Sequence, residues 1–240
     1  MKILILILII GIASVNSFCQ ERNYLLNIFS AKFEKNHLEV FDSTKKLVYK
    51  KTFNNPSESL VDLDNDGVNE FLVVDSHKDN GFDFYTLYIY NTIDSFYVAD
   101  SIQSGYMDPS EEISKEYGGM IIVTGNPQFD IFNKDSDDKY LPIQCWSYEN
   151  GKINSINDQI YNIFIAENDT LIDALDSYFS SNKDDCSSIA KVKGIMASVY
   201  ANYMNAGEKI LAAQFLKKYY HCNDLEIFKN KLNELLQVKL

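Results

Sequence analysis

The chain has 240 residues, of which 46% are hydrophobic and 13% aromatic, and its 22 basic residues against 34 acidic ones give a formal net charge of -12. This composition excludes a disordered chain, and the length predicts one or two domains with a large apolar core. The acidic excess argues against nucleic acid and anionic membrane surfaces as partners, because affinity for both is carried by clustered Lys and Arg.

Residues 1–19 have the pattern of a secretory signal peptide. Met1 and Lys2 form a short positive head, and residues 3–13 form an apolar run that is too short to span a bilayer comfortably as a helix. Small residues then offer cleavage sites that would begin the mature chain near residues 18–20. No other run is as apolar, so we expect a mature chain without a transmembrane segment, secreted or periplasmic.

Two other interpretations of this terminus remain open. The apolar run could be a buried strand or an anchor helix. Alternatively, a lipid could be attached at Cys19, although the bulky Phe18 stands where a bacterial lipobox has a small residue.

Residues 20–165 have the pattern of strands, which include the runs 24–29 and 129–133. Hairpin-like units recur at intervals of about 50 residues, the length that one four-stranded propeller blade needs. A closed propeller needs at least about four blades, and this region supplies only about three. The sequence therefore predicts either a partial, propeller-like arc of blade-like antiparallel sheets or a sandwich, although chance could also produce this spacing. The three hairpin units are residues 38–51, 87–100 and 143–156.

Residues 166–240 have a helical pattern with about four helices. Start signals at residues 168–170 predict the beginning of the first helix, and Asn223 is the expected cap of the last one. We therefore predict an α+β chain in which an all-β region is followed by a separate helical region.

Three cysteines follow the predicted signal peptide. Helices over 188–204 and 208–220 should form an antiparallel hairpin, which places Cys186 beside Cys222. An oxidising compartment permits a disulfide between them, and two free thiols are the alternative. Cys145 lies in an apolar segment and is predicted to be a buried free thiol.

The acidic segment over residues 61–75 is the one motif that indicates a specific chemistry. Three Asp residues alternate, a Gly follows at once, and a Glu comes three residues later. Ca²⁺ takes six to eight oxygen ligands, which a tight loop can present from alternate residues. The predicted ligands are the side chains of Asp62, Asp64, Asp66 and Glu70 and the carbonyl group of Val68.

An EF-hand is disfavoured, because Val73 stands at the twelfth loop position and a strand-forming run follows where a helix is required. The segment instead resembles the D-x-D-x-D-G-x-x-[DE] calcium loop of FG-GAP (VCBS-type) repeats, the blade units of integrin α-chain-like propellers. The resemblance implies a calcium ion held between two strands by the five residues just named. A single copy is present, whereas that family normally repeats the loop.

A solvated turn is the other interpretation of this segment. Three carboxylates at alternate positions repel one another unless a cation neutralises them, which favours calcium. We expect a structural ion, because protein oxygens would fill its coordination shell.

No catalytic motif is present: the sequence has no nucleophile elbow, P-loop, dinucleotide fingerprint or H-E-x-x-H. We expect a secreted calcium-binding β module that binds an extracytoplasmic protein or glycan; the alternative is an extracytoplasmic hydrolase with an unrecognised site. A partner surface on the helical region is a third possibility. The aromatic residues that could form a binding face, if they do not simply pack between sheets, are Tyr85, Tyr88, Tyr90 and Tyr97.

Overall fold

The computed structural model describes residues 21–136, 138–183 and 185–237, so the predicted signal peptide and Cys19 lie outside the described residues. Within these ranges, twelve strands form three four-stranded antiparallel sheets, each made of four strands that are consecutive in sequence. The first sheet contains β1 (Arg22–Leu26), β2 (Phe29–Glu34), β3 (His37–Phe41) and β4 (Leu47–Thr52). The second contains β5 (Asn55–Val61), β6 (Glu70–Asp79), β7 (Phe82–Asn91) and β8 (Tyr97–Gly105). The third contains β9 (Ser110–Ser114), β10 (Gly119–Gly125), β11 (Ile143–Glu149) and β12 (Lys152–Ser155).

The helical region follows the third sheet, which confirms the predicted fold class. Of the helices described, none combines the length and apolarity that crossing a bilayer requires. The α-helices are α1 (Asn162–Ser181), α2 (Cys186–Lys191), α3 (Lys193–Asn205), α4 (Lys209–Tyr219) and α5 (Leu225–Leu235).

The three predicted hairpins occupy equivalent places in the three sheets. Residues 38–51 lie in β3 and β4, residues 87–100 in β7 and β8, and residues 143–156 in β11 and β12 and just beyond. Each hairpin therefore provides the third and fourth strands of its sheet. The hairpin-like units recur in the sequence because each of the three sheets is made of four consecutive strands.

The sheets and helices stack as successive layers. One apolar core, which includes Phe33 and Phe71, lies between the first and second sheets. A second core, with Leu72 and Ile122, lies between the second and third sheets. The third sheet packs on α1 through Phe164. Because alternate residues of β6 face opposite cores, the run Phe71–Val74 is apolar throughout rather than alternating.

The outer face of the first sheet carries mostly polar side chains, with Leu25 exposed among them, and it ends the stack on that side. Lys32, Glu39 and Lys50 lie on this face, where the Lys50 Nζ is 2.7 Å from the Glu39 Oε1. The opposite end of the stack is covered by helices. A sheet with one polar face can border water without another layer, so the array needs no closure into a ring.

Two strand predictions were wrong in detail. The predicted strand over 24–29 is broken at Asn27, whose φ of 53° places a turn between β1 and β2. All but the last residue of the run 129–133 lie in a 3-10 helix over Pro127–Phe132, and this helix starts where Asn126 Oδ1 accepts a hydrogen bond from Gln128 N at 3.1 Å. Proline at the first helical position and this cap outweigh the strand-like pattern.

The first helix begins earlier than the sequence predicts. The helix α1 starts at Asn162, because the Glu116 carboxylate from the β9–β10 turn accepts hydrogen bonds from the backbone N–H groups of Tyr161 and Asn162, both at 3.0 Å. The predicted start residue Asn168 is fully buried inside α1, where its Nδ2 donates to Val199 O at 3.1 Å.

The last helix also differs slightly from its prediction. Asp224, rather than Asn223, occupies its cap position, without a capping side-chain hydrogen bond. The Asp224 carboxylate instead contacts the Lys193 Nζ and the Tyr220 hydroxyl, each at 2.9 Å.

The predicted disulfide is confirmed. Cys186 begins α2 and Cys222 follows α4, and the bonded pair has a Cα–Cα distance of 5.7 Å. The turn between α3 and α4 contains Gly207 at a φ of 79°, a conformation that glycine adopts without strain. Cys145 is a buried free thiol, as predicted, and burial raises its pKa to about 12.

Candidate metal centre

The acidic segment connects the first two strands of the second sheet. Val61, at the end of β5, pairs with Glu70, at the start of β6, so the sheet itself closes the base of the loop. The loop turns through Asn65 and Gly67, whose φ values of 59° and 86° lie in the left-handed region that Asn and Gly tolerate best.

Backbone N–H groups fold the loop around two of its carboxylates. The Asp62 carboxylate accepts hydrogen bonds from the N–H groups of Asp66 at 3.1 Å and Gly67 at 3.0 Å. The Asp66 Oδ1 accepts from Val68 N at 2.7 Å. These bonds fix the positions of the two side chains.

Three of the predicted ligands converge. One carboxylate oxygen from each of Asp62, Asp64 and Glu70 lies within 4.8 Å of the other two. Asp66 does not belong to this group, and its Oδ1 accepts from Val68 N. This triad could hold a metal ion.

Two of the three carboxylates are poorly compensated. Glu70 is 5% exposed, and its Oε2 accepts from Leu63 N at 3.0 Å. The Asp64 Oδ1 is buried without a hydrogen-bond partner in the described part of the chain. Burying a carboxylate is costly unless an opposite charge or several donors compensate for it.

The electrostatics agree with this geometry. Burial raises the pKa of Glu70 to about 7; the Leu63 N–H opposes that rise, and the charges of Asp64 and Asp66 add to it. Burial also raises the pKa of Asp64, and the neighbouring Asp66 and Asp62 charges add to the effect. The loop therefore concentrates negative charge that the described residues do not neutralise.

The third sheet contributes a residue that the sequence reasoning missed. Tyr148 on β11 is 3% exposed, packs in the same core as Leu63, and has a hydroxyl group without a hydrogen-bond partner among the described residues. Burial raises its pKa, and the charges of Glu70 and Asp64 raise it further. Because it is distant in sequence, only the packing of the second sheet on the third could reveal this neighbour.

The four predicted binding tyrosines do not form one surface. Tyr90 has no exposed surface, and Tyr88 packs against the core between the first and second sheets while the Lys51 Nζ lies 3.3 Å from its ring centroid. Tyr85 lines a polar depression that also includes Asp108, and Tyr97 is 47% exposed. Tyr90 therefore cannot contact a partner.

No family model matches the chain, and neither a curated protein nor a solved structure is significantly similar to it.

Proposed function

We propose that this chain is an extracytoplasmic, calcium-stabilised β module that binds a protein or glycan partner, with the ion held by the loop between β5 and β6. The observation that carries the proposal is the convergence of Asp62, Asp64 and Glu70, of which Glu70 is almost fully buried and Asp64 has an unpartnered oxygen.

A cation is needed because repulsion among three close carboxylates would otherwise oppose the folded loop. The ligand oxygens lie within 4.8 Å of one another, about twice a Ca–O distance of 2.4 Å, so no pair of them is too far apart to share one calcium ion. The donors are all oxygens, which favours a hard cation over zinc, whose structural sites use Cys and His.

The setting of the loop also supports the resemblance to FG-GAP calcium loops. The acidic residues and Gly67 are followed directly by β6, and the loop joins two neighbouring strands of a four-stranded antiparallel sheet. We extend the proposal to Asp66 and the carbonyl group of Val68, which the resemblance assigns to the same ion.

The proposed role of the ion is structural. It would fix the loop against the ends of β5 and β6, and the Tyr148 hydroxyl would place a group from the third sheet beside it. The disulfide between Cys186 and Cys222 supports an oxidising, extracytoplasmic environment.

Thermal unfolding of the full chain in calcium and in chelator tests this function. At calcium concentrations of 100 times the dissociation constant, binding should add about 2.7 kcal/mol to the free energy of unfolding. Asp64→Asn should abolish this gain. In chelator the same variant should be at least as stable as the wild type, because it removes one of the repelling charges.

Asp94→Asn is the matched control, since Asp94 is an exposed acid in the turn between β7 and β8. It should retain the full calcium effect. The proposal would be contradicted if calcium did not change the melting temperature of the wild type, or if calcium stabilised the Asp64→Asn variant as much as the wild type.

A further inference from the structure

A cleft is lined by residues of both the second and the third sheet. This open cleft of about 400 Å³ runs between β8 and β11 and is closed on one side by the start of the 3-10 helix. Its volume falls within the range of roughly 300–1,000 Å³ that small-molecule sites occupy. The lining includes Asp100, Gln103, Gln128, Gln144, Trp146 and Ile153.

Trp146 is the only tryptophan of the chain, and it is held in place on one wall of the cleft. Its Nε1 donates to the Thr124 Oγ1 at 2.8 Å, and Thr124 is fully buried on the neighbouring strand β10. Because the one polar atom of the indole is already bonded inside the protein, the ring is oriented in advance and offers the cleft an apolar surface.

Three glutamine side chains line the same cleft as this ring. Gln103 and Gln128 are exposed and Gln144 is half-buried, and none of their amide groups has a hydrogen-bond partner among the described residues. Each amide offers both a donor and an acceptor. Asn126 adds a fourth amide, whose Oδ1 already caps the 3-10 helix.

The charges that line the cleft limit the kind of ligand that it can bind. Asp100 is the only charged group among the described residues that line it. A cleft without a basic residue cannot form an ion pair with a phosphate, sulfate or carboxylate group, and Asp100 would repel such a group. The lining combines an apolar ring with several free donors and acceptors, so it fits a ligand that has an apolar face and a rim of hydroxyl groups.

We propose that this cleft binds a neutral oligosaccharide. A pyranose ring presents its C–H groups on one face, which would pack on the indole of Trp146, while its hydroxyl groups would bond to the amides of Gln103, Gln128 and Gln144. The inference refines the proposed function by naming the partner class and its place, and it rests on that function only for the role of the β region as a binding module.

Trp146 makes the test specific for this cleft, because all tryptophan emission arises there. The probes are cellohexaose, xylohexaose, mannohexaose, chitohexaose and maltohexaose, each titrated into the full chain in calcium. At least one should change the emission saturably. An acidic oligogalacturonate of similar length should bind more weakly, since Asp100 would repel it.

The double variant Gln103→Ala with Gln128→Ala keeps the fluorescent reporter and removes two exposed side chains. It should weaken binding by roughly tenfold, because two ligand hydrogen bonds are lost. Gln214→Ala, an exposed glutamine on α4, is the matched control and should bind as the wild type does.

Three results would overturn the inference: no response to any of the five neutral probes, unchanged affinity in the double variant, or tighter binding of the oligogalacturonate. Calcium binding is measured separately by calorimetry on the same samples. Saccharide binding without calcium binding would refute the metal site alone, and calcium binding without saccharide binding would refute the cleft alone.

Discussion

The β region and the helical region hold their buried polar groups in different ways. In the β region, ladders between strands pair most of the backbone, and the acidic loop holds the buried Glu70 carboxylate beside Asp64, whose Oδ1 has no hydrogen-bond partner among the described residues. In the helical region, buried amide side chains tie separate elements together. The Asn202 Oδ1 accepts from Ile143 N at 3.0 Å, and the Asn233 Oδ1 accepts from the Tyr200 hydroxyl at 2.8 Å.

This difference indicates how each region is stabilised. Stacked sheets gain apolar contacts layer by layer, and the proposed ion would add to them at the loop between β5 and β6. The helices α2, α4 and α5 are short, and an isolated short helix is marginal in water. The helical region therefore depends on links between elements, which its disulfide and buried amides provide.

Loss of the disulfide should have the largest effect on the helical region. Replacing both Cys186 and Cys222 with Ser opens a link across 36 residues, which should lower the free energy of unfolding by about 3 to 4 kcal/mol. Hydrogen exchange should rise in α2 to α4 more than in the second sheet.

A reductant serves as the control for that prediction. It should lower the melting temperature of the wild type towards that of the double variant and leave the double variant unchanged. If the oxidised wild type and the double variant were equally stable, the disulfide would not be what stabilises the helical region.

The junction between the two regions provides a prediction of intermediate size. A Cβ on Gly194 in α3 would collide with the side chain of Asn133, which donates to Tyr140 O at 2.8 Å and accepts from Tyr140 N at 3.1 Å. Gly194→Ala should cost roughly 1 to 3 kcal/mol by overpacking. Chemical denaturation would measure this loss.

Gly119→Ala is the matched control, because the added Cβ would meet only the Tyr117 ring at an ordinary 3.5 Å. It should leave stability nearly unchanged. If Gly194→Ala were equally neutral, the close packing of α3 on the β region would be refuted.

The smallest predicted effect concerns the start of α1. Glu116→Ala removes the carboxylate that accepts from the backbone N–H groups of Tyr161 and Asn162, and should cost about 1 kcal/mol, the typical value of a helix cap. The neighbouring Lys115→Ala should be neutral in the same denaturation experiment. Loss of stability in both variants alike would exclude a specific capping role.

Features that depend on neighbouring residues could be predicted from the sequence. The acidic loop is encoded within residues 61–75, and the pairing of Cys186 with Cys222 followed from two helices joined by one turn. The middle strand β6 was evident because both of its faces are buried, which makes its first residues apolar throughout.

Features that depend on distant contacts could not be predicted. The edge strands β5 and β9 carry mostly polar side chains, since an edge strand buries little surface, and they have no clear apolar alternation. Glu116 caps a helix from another turn, and Tyr148 approaches the acidic loop from another sheet. The amides around Trp146 converge only when β8, β11 and the 3-10 helix meet.

Isothermal titration calorimetry of the chelator-treated chain measures calcium binding by the loop between β5 and β6. Titration with calcium chloride should show one saturable site per chain in the wild type and in Asp94→Asn, and none in Asp64→Asn. The absence of a binding isotherm in the wild type, or an unchanged isotherm in Asp64→Asn, would contradict calcium binding by this loop.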